Sequence, residues 1–243
     1  MAHLPSKHPP DRLVPAETMA ARRRPHFTGE SEAYAEARMA LLAEEIRLRR
    51  HAAAVAAQRR ALPDGPAIEK DYRFIDPNGN EMGLRDMFGR HDTLITYFWM
   101  YGPDRLRPCP MCTNLLGPLD ANAADLKERV ALAILGRSSV ERQIAFRTER
   151  GWHHLDFYQM VGDDFVIDTG GLDTGKGWEI PILAVFRKDA EGAVRLFWSD
   201  DIGFDMADPG QDPRGPVDLA PLWNLLDLTP GGRGTDWYPK LTY

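Results

Sequence analysis

Leu94-Ile95-Thr96-Tyr97-Phe98-Trp99-Met100, a loop Gly102-Pro103-Asp104-Arg105-Leu106-Arg107-Pro108, and then Cys109-Pro110-Met111-Cys112 form the stretch around which the chain is organised. The first run has the length and the β-branched and aromatic content of a buried strand. After the cysteines, Met111, Leu115, Leu116, Leu119 and Leu126 recur as the apolar positions of a helix. Cys109 and Cys112 are the only cysteines of the protein. A strand thus delivers both thiols to the first turn of a helix. There the leading N–H groups have no partner within the helix, and the macrodipole adds partial positive charge. A thiolate at that place is stabilised and its pKa falls. With Cys109 as N-cap, Pro110 takes the first helical position, where proline is favoured. Cys112 then lies one turn on, within reach of a disulfide. Arg105 and Arg107 add positive charge upstream. The expected site is a redox dithiol, with Cys109 as nucleophile, Cys112 as resolving thiol, and Arg105 and Arg107 stabilising the thiolate.

Two plainer readings stand beside it: a pair of inert buried cysteines, or half of a zinc site. Zinc needs two further ligands, and His153-His154 is the only obvious source. Neighbours on a strand point to opposite faces, so that pair chelates poorly, and no metal is expected. A c-type haem is excluded, because Thr113 stands where histidine is needed. No organic cofactor is expected either.

Of 243 residues, 43% are hydrophobic and 27% charged, the balance of an ordinary globular protein. The net charge of −6 gives no basic bias toward nucleic acid. Two cysteines do not make a disulfide scaffold. The start, Met1-Ala2-His3-Leu4-Pro5-Ser6-Lys7, has no apolar core of signal-peptide length, and no run approaches membrane-spanning length. The expectation is a cytoplasmic protein without a membrane partner, its dithiol kept mostly reduced.

Residues 1–27 carry five prolines and the run Arg22-Arg23-Arg24, and read as an extended or disordered arm. Residues 28–65 form the next segment, with one long helix over 29–61. Thr28 or Ser31 caps it, glutamates lead and arginines follow, in the order the dipole favours. Tyr34, Leu41, Leu48, Val55 and Leu62 recur every seven residues. Glu44, His51 and Gln58 occupy the second seam, so no full coiled coil forms. The stripe packs on the protein's own body or on a second copy, as a homodimer.

The main domain is expected over 66–226. Residues 70–92 read as a strand pair turning at Pro77-Asn78-Gly79-Asn80. After the cysteine helix, which Gly117-Pro118 should kink, Val130 to Leu135 is a second buried strand. Ser138 or Ser139 caps a helix through Arg150 whose buried face is Val140, Ile144, Ala145 and Phe146. This β-α-β-α order predicts a parallel strand pair. Trp152 to Ile167 includes another short strand. Gly170 to Gly177 imitates a phosphate loop, but Gly177 replaces the needed hydroxyl and Trp178-Glu179-Ile180-Pro181 opens no helix, so nucleotide binding is rejected. Ile182 to Phe186 and Val194 to Trp198 form a hairpin led by Pro181, whose peptide bond is a candidate for the cis form. Residues 200–216 are loop, and their aspartates do not have the spacing of a calcium loop. Asp218 to Leu226 is a final helix. Residues 227–243 are an irregular tail whose aromatics, Trp237, Tyr238 and Tyr243, suggest docking.

With the strand, dithiol, helix and proline-led hairpin in this order, the chain resembles thioredoxins: an α/β fold with a central mixed sheet flanked by helices. The resemblance implies that a cis proline, Pro181 following Ile180, faces the dithiol and holds an extended substrate. Tyr72 through Phe98 also resembles the amino-terminal hairpin of alkyl hydroperoxide reductase-type peroxidases. A closer likeness lies in Glu69-Lys70-Asp71-Tyr72, Met100-Tyr101-Gly102-Pro103, Cys109-Pro110-Met111-Cys112, Glu149-Arg150-Gly151-Trp152 and Leu226 through Gly234. These motifs resemble a bacterial thioredoxin-like family labelled a domain of unknown function. The likeness covers roughly Thr28 to Tyr243. Thioredoxin's Trp before the first cysteine and Gly-Pro between the two are missing. So is the peroxidase pattern: counting back from Cys109 gives Leu106 and Gly102, and from Cys112 gives Cys109 and Arg105.

The leading expectation is therefore a thiol–disulfide oxidoreductase acting on a protein or small-molecule disulfide and restored by a thiol reductant. A thiol-dependent peroxidase and a non-catalytic redox-sensing module are the alternatives.

Overall fold

The computed structural model describes residues 13–22, 24–202, 209 and 217–243. The chain divides into two compact units, Met1–Pro63 and Asp64–Tyr243. The first holds helix α1 (Ala16–Arg22) and helix α2 (Glu32–Arg60). Ser31 caps α2 by accepting from the Tyr34 N–H, and Arg59 and Arg60 close its last turn. Helix α1 is a correction, since the sequence predicts an arm without structure over 1–27. No proline falls between Pro15, just ahead of the helix, and Pro25, beyond its end, and Glu17 and Arg22 sit where the dipole favours them. Ala16 and Ala20 are buried against Ala43 of α2, ringed by Met39, Leu42 and Ile46. Small side chains allow that close approach. Residues 1–12 and Arg23 lie outside the described residues. Tyr34, Leu41 and Leu48, the seven-residue stripe, are 56%, 53% and 68% exposed.

The second unit runs, in order, through strands β1 (Arg73–Ile75) and β2 (Glu81–Gly83), a 3-10 turn (Asp86–Phe88) and strand β3 (Thr93–Phe98). Helix α3 (Pro110–Lys127), strand β4 (Ala131–Gly136), helix α4 (Val140–Arg150) and strand β5 (Phe157–Met160) follow. Then come helix α5 (Asp164–Asp168), the short strands β6 (Leu172–Asp173) and β7 (Trp178–Glu179), strands β8 (Ile182–Lys188) and β9 (Val194–Asp201), and helix α6 (Pro221–Asp227). Seven strands form one mixed sheet in the order β2-β1-β5-β4-β3-β8-β9. Strand β3 pairs parallel with β4, Leu94 opposite Ala131, and antiparallel with β8, Tyr97 opposite Leu183. The β3-α3-β4 unit beside the β8-β9 hairpin, with α6 to follow, is the thioredoxin-like arrangement.

Alternation along β3 divides the core. Leu94 and Phe98 face one cluster with Phe74, Leu135 and Phe186, covered by Met87, Phe88, Phe165 and Val166 of the 3-10 turn and α5. Tyr97 and Trp99 face the other, with Ile134 and Phe157, covered by Cys112 and Leu116 of α3 and Phe146 of α4. Helices thus lie on both faces of the sheet. Helix α3 runs unbroken through Pro118. Ser139 caps α4 and Gly151, in the left-handed region, ends it. In α4 the expected Ala145 is exposed, and Gln143 is fully buried instead, its amide donating to the Ser138 carbonyl at 2.8 Å.

Three other expectations change. Helix α6 starts at Pro221 rather than Asp218, because Asp218 is held at 2.9 Å by the buried Arg233. Every described peptide bond is trans, so Pro181 enters β8 on a trans bond, not the cis bond that the resemblance implies; the first residue of a strand accommodates a trans proline. The expected docking of the tail aromatics holds for Trp237, which packs edge-on against the buried Trp223 of α6 with ring centroids 6.1 Å apart, but not for Tyr243, which is 91% exposed. Leu241 docks on the second core cluster instead, and its carbonyl accepts from Arg150 at 3.0 Å. Most of the 200–216 loop, including Asp205, Asp208 and Asp212, lies outside the described residues apart from Pro209. Among the described residues no helix is long and apolar enough to cross a membrane.

Candidate active site

The edge of the site is made where β3 ends. The Cys109 N–H donates to the Met100 carbonyl at 3.1 Å, so loop 102–108 leaves the strand and returns to its tip. Arg142 of α4 braces that loop. Its guanidinium donates to the carbonyls of Pro103 and Arg105 and lies 4.8 Å over the Tyr101 ring. Cys109 is the N-cap of α3 and Pro110 its first residue. The Thr113 N–H and hydroxyl both donate to the Cys109 carbonyl, at 3.0 and 2.9 Å, and fix the first turn.

Both cysteines are free thiols, 3.6 Å apart. Their surroundings split their proton affinities. Cys109 is half-buried and its pKa is lowered to about 6: the Cys112 thiol donates to it, the first-turn amides of Cys112 and Met111 favour the anion, and the charge of Arg105 adds to them. Burial opposes this and loses. Cys112 is buried, and its pKa is pushed well up by the neighbouring Cys109 sulfur and by loss of solvent. One proton therefore resides on Cys112 and the negative charge on Cys109.

Tyr97 packs with Cys112 in the same core cluster, and its hydroxyl favours the Cys112 thiolate. Tyr97 is 1% exposed, and burial holds its phenol in the protonated form, a donor. No sequence signal marks this residue, since it reads as one more aromatic of a buried strand. Behind it Trp99 packs against Tyr101, Phe146 and Phe157, with ring centroids 5.0 to 5.5 Å apart.

The structure places the two predicted arginines differently. Arg105 donates from Nε to Glu179 Oε2 at 2.7 Å and acts on the Cys109 thiolate by its charge. Arg107 turns to Glu149, which it grips with both Nη groups, and lies 4.8 Å over the Phe146 ring. Ile180 and Pro181 line a cavity of about 630 Å³ together with Met100, Gly102, Arg105 and Trp178. The β6–β7 hairpin, unread in the sequence, supplies Trp178 and Glu179. Gly102 is needed here: a Cβ on it would come 2.4 Å from Glu179 Oε1 and 3.1 Å from Arg137 Nη1. The backbone N–H groups of His153 and His154 donate to Asp120 of α3, at 3.1 and 2.7 Å. No cluster of three metal-ligating side chains occurs among the described residues.

A family model described as "Bacterial protein of unknown function (DUF899)" matches residues 23–243. No curated protein matches the sequence. Among solved structures, the chain is similar to a thiol peroxidase from Chromobacterium violaceum at 16% identity and a TM-score of 0.44, over 68% of this chain and 87% of that one. It is similar to the mitochondrial 2-cys peroxiredoxin from Plasmodium falciparum at 17% identity and a TM-score of 0.39, over 55% and 80%. The exposed lipoprotein thioredoxin of Streptococcus pneumoniae aligns at 16% identity and a TM-score of 0.40, over 65% and 100%.

Proposed function

The chain belongs to the DUF899 family, bacterial proteins of unknown function, and we propose that it is a thiol–disulfide oxidoreductase working through Cys109 and Cys112. The observation that carries this reading is the divided proton affinity of two touching thiols at a helix start, one lowered to about 6 and one held protonated. The Cys109 thiolate attacks one sulfur of a substrate disulfide. A Cys109–substrate disulfide forms, and the other half leaves as a thiolate that takes a proton from solvent. Cys112 then gives up its proton and attacks the Cys109 sulfur. The Cys109–Cys112 disulfide closes and the second substrate thiol departs. The substrate has gained two electrons and two protons, and a thiol reductant of the reducing cytoplasm returns the dithiol to its starting state. Pro181 and Ile180, which line the same cavity as Met100 and Arg105, hold the backbone or arm of the disulfide.

Reduced protein mixed with a small disulfide should turn it over in the presence of a thiol donor. Cys109→Ser should abolish turnover, and Cys112→Ser should stop at a mixed disulfide visible by intact mass. Full activity in the Cys109→Ser variant would overturn the assignment.

A further inference from the structure

The cavity lined by Met100, whose carbonyl accepts from the Cys109 N–H, has a feature that disulfide exchange alone does not need. Glu179 has a side chain only 6% exposed and stands between two guanidinium groups. Arg137 approaches its Oε1 at 3.5 Å and gives its other donors to Asp163, at 2.8 and 3.0 Å. Arg105 is held through Nε alone, at 2.7 Å. Among the described residues nothing accepts from its two Nη groups, and its side chain lines the cavity. A guanidinium fixed by one nitrogen, with its fork left open, matches a carboxylate in two parallel hydrogen bonds. Across the cavity, Lys176 lies 5.0 Å over the Trp178 ring, and that ring is 65% exposed. The volume of about 630 Å³ fits a small molecule rather than a protein surface.

We propose that this cavity is the binding site for a low-molecular-mass disulfide bearing a carboxylate, which Arg105 grips while the disulfide faces Cys109. The inference rests on the oxidoreductase reading. Asp104, Asp173 and Asp201 also line the cavity and would suit a cationic disulfide. However, Asp104 is exposed to solvent, Asp173 already accepts from the N–H groups of Gly175 and Lys176, and Asp201 has an interaction of its own. The open fork of Arg105 therefore decides the sign. Chemically, the Cys109 thiolate attacks the near sulfur of the bound disulfide, and the far half leaves as a carboxylate-bearing thiol after protonation by solvent. The near half follows when Cys112 closes the internal disulfide.

The test is steady-state reduction of three disulfides of similar size: dithiodipropionate, a dianion; bis(hydroxyethyl) disulfide, neutral; and cystamine, a dication. Leaving-group acidity alone would rank cystamine first. Recognition by Arg105 should instead put dithiodipropionate first by about tenfold in kcat/KM, mainly through a lower KM. In Arg105→Gln that preference should fall to parity. The loss of Arg105's charge at the thiolate slows all three substrates alike, so the ratio between them reports recognition alone. Equal rates for the three, cystamine first, or an unchanged ratio in the variant would overturn the inference while leaving the oxidoreductase reading standing. No turnover of any of the three would remove that reading and this inference with it.

Discussion

Cys109 gains its acidity from position, and Cys112 loses its own to the same neighbour. With a pKa of about 6, Cys109 is roughly nine-tenths thiolate at pH 7. Its reaction with a neutral alkylating agent should rise about tenfold per pH unit below 6 and level off above it. A profile that keeps climbing to pH 9 would mean that the helix start does not acidify the sulfur. Tyr97 acts one step later. Its hydroxyl stabilises the charge that Cys112 must carry when it attacks the mixed disulfide. A hydrogen bond to a charged group contributes about 1.5–3 kcal/mol. Tyr97→Phe should therefore slow closure of the internal disulfide by about ten- to a hundredfold, with the mixed disulfide accumulating in a mass-spectrometric time course, while the alkylation midpoint of Cys109 stays near 6. Unchanged closure would reduce Tyr97 to packing. The two cysteines are legible in sequence because their spacing and the proline between them announce a helix start. Tyr97 is not, since strand alternation assigns it a face but not a partner. Nor is the grip of Glu179 on Arg105, made between residues far apart in the chain.

The elements that bring these residues together follow from pattern where the pattern is long. Strands β3 and β4 are legible as apolar runs of strand length, β4 being buried at all six positions, and helix α3 and the β8–β9 hairpin as apolar recurrences bounded by turn residues. The β6–β7 hairpin has two residues per strand, too few for any period, and it emerges only where the Gly170–Gly177 loop closes on itself. Helix α1 was hidden by its proline-rich approach. Helix α3 is tied down by a contact its own periodicity does not show. Asp120 is 7% exposed, and its carboxylate accepts from the backbone N–H groups of His153, His154 and Leu155, at 3.1, 2.7 and 3.0 Å. Those bonds hold its pKa below the usual carboxylate range against the burial that raises it. A carboxylate so lowered adds stability that is complete above its unfolded pKa and disappears as pH falls through the folded value. Asp120→Ala would leave three amides short of an acceptor, at a cost of about 3 kcal/mol. Urea denaturation at neutral pH should show that loss, and the gap between the proteins should narrow under acid conditions. An equal gap at both pH values would mean that Asp120 contributes through packing rather than through its charge.

At the scale of the whole molecule, α2 carries two apolar faces, and only one is closed within its own unit. Met39, Leu42, Ala43 and Ile46 lie under α1, whereas Tyr34, Leu41 and Leu48 are exposed. The sequence shows the exposed stripe but not which partner takes it. Charge helps to decide. Residues 32–45 hold four glutamates and one arginine, and residues 46–60 hold five arginines and no acid. Two copies side by side in the same direction would set like against like. Laid antiparallel, they bring Leu41 of one to Leu48 of the other and each acidic half to a basic one. A helix of this length offers a face about 44 Å long and about 10 Å wide, near 900 Å² in total for the pair. That is below the ~1,200 Å² of a standard stable interface, so the association should be weak and concentration-dependent. Sedimentation velocity across a dilution series should find dimers giving way to monomers, with the balance moving toward monomer as salt is raised. Leu41→Glu with Leu48→Glu should yield monomer throughout, without loss of secondary structure by circular dichroism. Monomer at every concentration in the wild type would reject self-association through α2, and a dimer that survives both substitutions would place the contact elsewhere.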